Sequence, residues 1–200
     1  MYWIRNPNPD NITVLLQPNF LSEDGLKQLF DYVAARDLQT GGVANSADGS
    51  ERVSAPQVRK SQIIWVKAEE QNGRLFEEIV NKVYYVNNFH FNFRVDYFKD
   101  LQYSEYASDG HYGWHTDTVF NGEDDDKTRQ RKISFTLQLN DPSEYEGGAF
   151  ETFYNGEHQE VELQRNTAVF FPSYLPHQVA PVTKGVRKSL VGWIYGPLFC

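Results

Sequence analysis

Two histidines and one aspartate in this chain have the types and settings that could hold a metal ion. His115 and Asp117 stand two apart in Gly113-Trp114-His115-Thr116-Asp117, and His177 closes the segment Ser173-Tyr174-Leu175-Pro176-His177. If residues 115–117 are extended, His115 and Asp117 project to the same face, because side chains alternate along a strand with period two. One strand end then offers an imidazole nitrogen and a carboxylate to a single ion. A third ligand from a distant strand would complete a facial set of two histidines and one carboxylate. That set leaves three adjacent positions of a six-coordinate metal open, as in non-haem iron(II) sites, where a chelating 2-oxo acid takes two and dioxygen one. His-x-Asp alone also describes a histidine beside a turn aspartate, so the spacing leaves both readings open.

Ten residues after His177 stands Arg187, followed by Ser189 and then the apolar run Leu190-Val191-Gly192-Trp193-Ile194-Tyr195. A buried arginine needs an anionic partner, since uncompensated charge in an apolar interior is expensive. A planar guanidinium matches a carboxylate through two parallel hydrogen bonds. The partner is either a protein carboxylate in a salt bridge or the distal carboxylate of a small diacid such as 2-oxoglutarate.

These residues must be positioned by a fold, and periodicity indicates which one. A short strand is expected at Ile12–Leu16, then a helix over Asn19–Arg36 with Ser22 as N-cap and Leu26, Leu29, Phe30 and Val33 on one face. Thr40–Pro56 is rich in Gly, Ser, Ala and Asn and reads as an irregular loop before a strand at Ser61–Val66. A second helix is expected from Asn72 to Asn87. From residue 91 the period becomes two: Phe91, Phe93, Val95 and Tyr97 alternate with polar residues, as in a half-buried strand. Further strands are expected at Leu101–Tyr106, Lys132–Leu139, Ala149–Tyr154, Gln159–Leu163, Thr167–Phe171, His177–Pro181 and Arg187–Tyr195. Gly147 and Gly148 are expected to turn with positive φ. Many short strands behind two helices predict a mainly β fold with flanking helices, built on a jelly-roll core. The expected organisation is a single domain over residues 1–200, with helical support at about 19–88 and the core at about 89–200.

With 200 residues, 40% of them hydrophobic and 15% aromatic, the chain can bury a real core. A formal net charge of -8 argues against nucleic acid or an anionic membrane as a partner. The basic cluster Lys127, Arg129, Arg131 and Lys132 follows the acidic run Glu123–Asp126 and reads as a solvated loop, or else as a lid over substrate. One cysteine, Cys200, offers no internal disulfide or zinc cluster, and no long apolar run or leader stands out, so a cytoplasmic location is expected.

Four stretches together resemble a known family. They are Tyr106 through Asp117, Asp141-Pro142-Ser143-Glu144-Tyr145-Glu146-Gly147-Gly148, Phe171-Pro172-Ser173 through His177, and Pro181 through Arg187. In order and spacing they look like the prolyl-4-hydroxylase-type 2-oxoglutarate oxygenases, especially bacterial and phage members, over roughly the C-terminal half. The resemblance implies a double-stranded β-helix (a cupin-like jelly roll), with Fe(II) held by His115, Asp117 and His177 as the catalytic set and Arg187 receiving the distal carboxylate of 2-oxoglutarate. It implies dioxygen as cosubstrate and ascorbate as reductant. Tyr106 matches a tyrosine that lines the cosubstrate pocket in relatives, and Ser189 either adds a hydroxyl bond to the same carboxylate or points away from it. Gln138 stands where some prolyl hydroxylases place a further cosubstrate tyrosine. The carboxylate of Asp117 fills the position that halogenating relatives leave for halide, so hydroxylation is implied. The implied reaction hydroxylates a C–H bond, foremost that of a prolyl residue in a peptide or protein, releasing succinate and carbon dioxide.

Other readings stay open at this stage. The same chemistry could act on a free amino acid or another small molecule, or the chain could be a non-catalytic jelly-roll module with Arg187 in a salt bridge. Zinc on the same ligands would serve hydrolysis, although no general base is placed beside them. The segments 40–59 and 121–132 are candidates to close over substrate. Trp114 and Trp193 read as packing or as walls of a site, His111 and Tyr112 as loop residues ahead of the metal strand, and His90 and His158 have no constellation.

Overall fold

Both faces of the strand Arg129–Gln138 are buried, yet they differ in chemistry: Ile133, Phe135 and Leu137 alternate with Ser134, Thr136 and Gln138. The apolar face needs a hydrophobic partner, and the polar face must meet groups that satisfy it. The architecture follows from that division. The computed structural model of the chain describes residues 14–44, 52–118 and 126–199.

In chain order the first elements are β1 (Leu15–Gln17), α1 (Glu23–Ala34), β2 (Gln39–Thr40), β3 (Val43–Ala44), β4 (Arg52–Val53), β5 (Arg59–Lys60), β6 (Gln62–Val66) and α2 (Gly73–Val86). There follow β7 (Tyr97–Phe98), β8 (Leu101–Tyr106), β9 (His111–His115), β10 (Arg129–Gln138), β11 (Tyr145–Gly147) and β12 (Phe150–Tyr154). The last are β13 (Glu157–Val161), β14 (Ala168–Pro172), β15 (His177–Val179), β16 (Val182–Gly185) and β17 (Arg187–Pro197).

The major sheet runs β1-β14-β10-β17-β8-β6-β2, with β7 also on β17, and the minor sheet runs β13-β12-β15-β9-β5. From β8 onward the chain passes repeatedly between them: β8 major, β9 minor, β10 major, β12 and β13 minor, β14 major, β15 minor, β17 major. This alternation winds two antiparallel ribbons around one axis, which makes the expected double-stranded β-helix.

The apolar face of the major sheet is covered by the two helices. Leu26 and Leu29 of α1 and Leu75 and Ile79 of α2 form one buried cluster with Phe135, Phe170, Leu190 and Ile194. Ser22 caps α1 by accepting from the Gly25 N–H at 3.1 Å, as expected. A second, smaller cluster lies between the sheets, around Tyr106, Phe150, Phe171 and Val179. The close approach of β10 and β17 requires glycine at 192, because a Cβ there would lie 2.3 Å from Phe135 Cε1 and 2.9 Å from Leu101 Cδ2. Gly192→Ala should therefore cost about 1–3 kcal/mol through overpacking. A denaturation midpoint equal to wild type would show that Phe135 can yield without cost.

Several expectations need correction. Residues 91–97 are not a strand: 87–91 form a π turn, and only Tyr97–Phe98 joins the sheet. Asn87 holds both Phe93 N–H and Phe93 C=O through its side chain, and Asn92 sits at φ 52, so local capping overrides the two-residue alternation. Within 40–56, β2 edges the major sheet and β3 pairs with β4, while residues 45–51 lie outside the described set. Arg129 and Arg131 join Lys132 in β10 rather than lying in a solvated loop, and Lys132 is buried. The rest of that charged segment from 119 to 125, the beginning of the expected first strand at 12–13, and Cys200 lie outside the described residues. His111 and Tyr112 are part of β9 itself. Gly147 and Gly148 have the expected positive φ, 74° and 65°. Among the described residues no helix is long and apolar enough to cross a membrane.

Candidate metal centre

The register of the minor sheet brings the two histidines together. β9 ends on His115, β15 begins on His177, and these two residues are direct cross-strand partners with ring centroids 4.2 Å apart. Strand alternation does not continue to Asp117 as expected, since β9 stops at His115. The backbone N–H groups of Asp117 and Thr118 instead donate to Ser173 C=O, at 2.8 and 3.1 Å. That anchor sets the carboxylate beside both rings. Asp117 Oδ1 lies 3.7 Å from His115 Nε2, and Oδ2 lies 3.5 Å from His177 Nε2. The three potential ligand atoms all fall within 4.8 Å of one another, so they could hold one metal ion.

The protonation pattern suits a metal. His115 Nδ1 is 2.8 Å from Gly113 C=O and His177 Nδ1 is 2.9 Å from Leu175 C=O. A carbonyl only accepts, so both Nδ1 atoms carry hydrogen and both Nε2 lone pairs are free to coordinate. The Ser134 hydroxyl donates to Asp117 Oδ2 at 2.7 Å and lies 2.9 Å from Ser173 Oγ. Burial, and then neighbouring His177, push the His115 imidazole down to about 3. Burial alone would raise the Asp117 carboxyl, but His177, His115, Arg131 and the Ser134 hydroxyl together bring it below its ordinary value. Both groups bind protons more weakly folded than unfolded, so the unfolded state takes up protons first as pH falls. The metal-free protein should lose stability as pH drops from 6.5 toward 3, and a denaturation midpoint unchanged across that window would contradict these environments.

The centre opens into a cleft lined by Tyr106, Ser189, Gln102, Thr136 and Trp193 among others. Tyr106 and Ser189, the two residues proposed from the sequence to serve the cosubstrate, both line this cleft. Arg187 pairs with Tyr106 across β17 and β8, its guanidinium carbon 5.8 Å from the Tyr106 ring centroid. It is 1% exposed, and neither terminal nitrogen has a hydrogen-bond partner. Among the described residues no carboxylate pairs with it, so among them this buried cation has no balancing anion. Arg187 does not line the metal cleft but an adjoining cavity shared with Gln138, and Phe150 borders both. Gln138 donates from Nε2 to the Asn140 C=O and Oδ1, at 3.1 and 3.2 Å, and its Oε1 is buried without a partner.

Residues 101–195 match the model of the 2OG-Fe(II) oxygenase superfamily. This segment is a 2OG-Fe(II) oxygenase domain. A PKHD-type hydroxylase of Picosynechococcus sp. is 41% identical to the chain over 95 residues, which are 47% of this chain and 41% of that relative. The chain thus matches well under half the length of the curated relative. A prolyl-4-hydroxylase of Pseudomonas putida superposes with a TM-score of 0.68 at 24% identity, covering 91% of this chain and 92% of that one. A prolyl hydroxylase of Trichoplax adhaerens, solved with a peptide fragment of a hypoxia inducible factor oxygen degradation domain, superposes with a TM-score of 0.70 at 18% identity, covering 92% and 83%. These likenesses show the same double-stranded β-helix.

The 2OG-Fe(II) oxygenase domain implies Fe(II), 2-oxoglutarate and dioxygen, and the residues present fit them. Two imidazoles and one carboxylate make the ligand set, and the orphaned Arg187 guanidinium suits the far carboxylate of a diacid. Several contributors were not legible beforehand: Ser134 and Ser173, which hold Asp117, and Arg59 and Gln102, which line the cleft. Polar residues at every second position of a buried strand were the available signal for Gln102, Ser104, Ser134, Thr136 and Gln138. Trp193 lines the cleft, whereas Trp114 packs on the exposed side against Phe153 and His158.

Proposed function

We propose that the chain is an Fe(II)- and 2-oxoglutarate-dependent dioxygenase that hydroxylates a C–H bond of a prolyl residue in a peptide or protein. The observation that carries this reading is the facing triad of His115, Asp117 and His177 together with a buried guanidinium, Arg187, whose cavity shares Phe150 with the metal cleft and which has no anionic partner among the described residues. The names of the solved relatives, prolyl hydroxylases in both cases and one holding a peptide, support the substrate class. The layer of residues 19–88 and the strands beyond act as one domain, a reading supported by the entry of β1 and β6 into the major sheet.

Bound Fe(II) and 2-oxoglutarate supply an oxidative decarboxylation that activates dioxygen for hydroxylation and leaves succinate and carbon dioxide. The protein's own part is positional. His115 and His177 present Nε2 lone pairs, fixed by their Nδ1–H bonds to the Gly113 and Leu175 carbonyls. Asp117 contributes one negative charge and is steadied by Ser134. Arg187 binds the distal carboxylate, with Ser189 Oγ, buried and without a partner, as a further donor beside it. Phe150 and Phe171, within 5.8 and 4.6 Å of the His177 ring centroid, wall the site against water.

The test is a succinate-release assay with proline-containing peptides, followed by mass spectrometry to locate an added oxygen. Peptide-dependent succinate with oxygen on proline is expected. Succinate coupled only to a free amino acid or another small molecule would replace the peptide assignment while keeping the chemistry.

A further inference from the structure

One buried cation has no part in that chemistry. Arg59, on β5, is 4% exposed and lines the metal cleft. Its Nε donates to Ser61 Oγ at 2.8 Å and its Nη1 reaches Gly42 C=O at 3.4 Å, but its Nη2 is buried with no hydrogen-bond partner. No carboxylate pairs with it among the described residues.

The side chain is held in place by its surroundings. Its guanidinium lies 4.7 Å from the centroid of the Tyr112 ring, and that same ring stacks on His115 at 3.6 Å. Arg59 and Tyr112 are cross-strand partners on β5 and β9. Gly41 donates to Ser61 C=O and passes so close that a Cβ there would lie 2.4 Å from Ser61 Oγ and 3.0 Å from Arg59 Nε. The Gly41 backbone therefore packs against the guanidinium, and Arg59 also lines the cleft.

We propose that Arg59 binds a carboxylate of the substrate next to the carbon that is oxidised, so that the enzyme selects acidic peptides. This rests on the oxygenase assignment above and narrows it. Buried charges are retained only when paired. Fe(II), Asp117, doubly ionised 2-oxoglutarate and Arg187 together sum to no net charge, which leaves the Arg59 charge for the third occupant of the cleft. Arg131, whose guanidinium stacks over Trp193 at 4.3 Å, also lines the cleft and carries the same sign. A neutral amide could take the free N–H of Arg59 but could not balance its charge, whereas a carboxylate does both.

The carboxylate could be the C-terminal one or an acidic side chain, and two peptide pairs separate these sources. The full chain, loaded with Mn(II) and N-oxalylglycine so that no turnover occurs, is titrated calorimetrically with acetyl-Ala-Pro as free acid and as amide. The same is done with acetyl-Ala-Pro-Asp-amide and acetyl-Ala-Pro-Asn-amide. In at least one pair the acidic member should bind about tenfold tighter or more, as a charge-assisted bond gives over a neutral one. The pair that discriminates names the source. Arg59→Gln should bring that preference to within about twofold, and Arg59→Lys should retain part of it, while the Mn(II) complex with N-oxalylglycine still forms in both. Equal affinities within both pairs, no binding of any of the four peptides, or a preference that survives Arg59→Gln would overturn the proposal. Absence of the Mn(II) complex in wild type would overturn the oxygenase assignment with it, which distinguishes the two failures.

Discussion

His177→Ala should abolish coupled turnover while leaving the fold in place. The imidazole supplies one of three ligand atoms that lie within 4.8 Å of each other, and its loss leaves the facial set incomplete. Loss of residues that merely orient a ligand already costs 10–100-fold in metal affinity in comparable sites, so loss of the ligand itself should cost more than about 100-fold. Structural damage should be limited, because His177 sits on the short pairing of β15 and β9 in the minor sheet, outside the large cluster beneath the helices. Succinate release at the no-enzyme background, with a wild-type circular dichroism spectrum, is the expected outcome. Retained coupled turnover would refute the site as drawn.

Arg187→Met should separate cosubstrate binding from stability. Where an arginine is one half of a buried salt bridge, its removal strands the partner and costs about 3–5 kcal/mol. Here no carboxylate pairs with Arg187 among the described residues, and both terminal nitrogens lack hydrogen bonds. The substitution removes an uncompensated charge, so the metal- and cosubstrate-free protein should be as stable as wild type or more so. The KM for 2-oxoglutarate should rise by about 10–100-fold, the worth of about 1.5–3 kcal/mol for hydrogen bonds to a charged group. Stabilisation of the protein by N-oxalylglycine should be lost in proportion. A large drop in the stability of the cosubstrate-free protein with unchanged KM would identify Arg187 as a structural residue.

The pattern of success in reading the sequence has physical causes. Strands such as β8, β14 and β17 were legible because they combine β-branched and aromatic residues with flanking turn signals, and the turn at Gly147 and Gly148 demands positive φ. Residues 91–97 misled because alternation records which side chains face the core, not whether a neighbouring strand is there to bond. Phe91, Phe93 and Val95 do pack on the core, but Asn87 and Asn92 bend the chain away from a ladder. The three candidate ligands, which the fold brings within 4.8 Å of one another, were singled out because His-x-Asp, a distant histidine and a strand arginine in that order resemble the pattern of a known family. Ser134, Ser173 and Arg59 were not, because each acts through contacts between strands far apart in the chain, which no local spacing encodes. Asp117 shows the same limit at one position. Its identity was evident, but its aim comes from Ser173 C=O rather than from strand alternation.

The most direct test of the whole assignment is an anaerobic titration of the full chain with Fe(II) in the presence of 2-oxoglutarate, followed by visible absorption. One equivalent of iron per chain should saturate an absorption that requires both iron and the 2-oxo acid, and Asp117→Ala should not develop it. No such absorption, or one that persists undiminished in Asp117→Ala, would mean that His115, Asp117 and His177 do not form the centre.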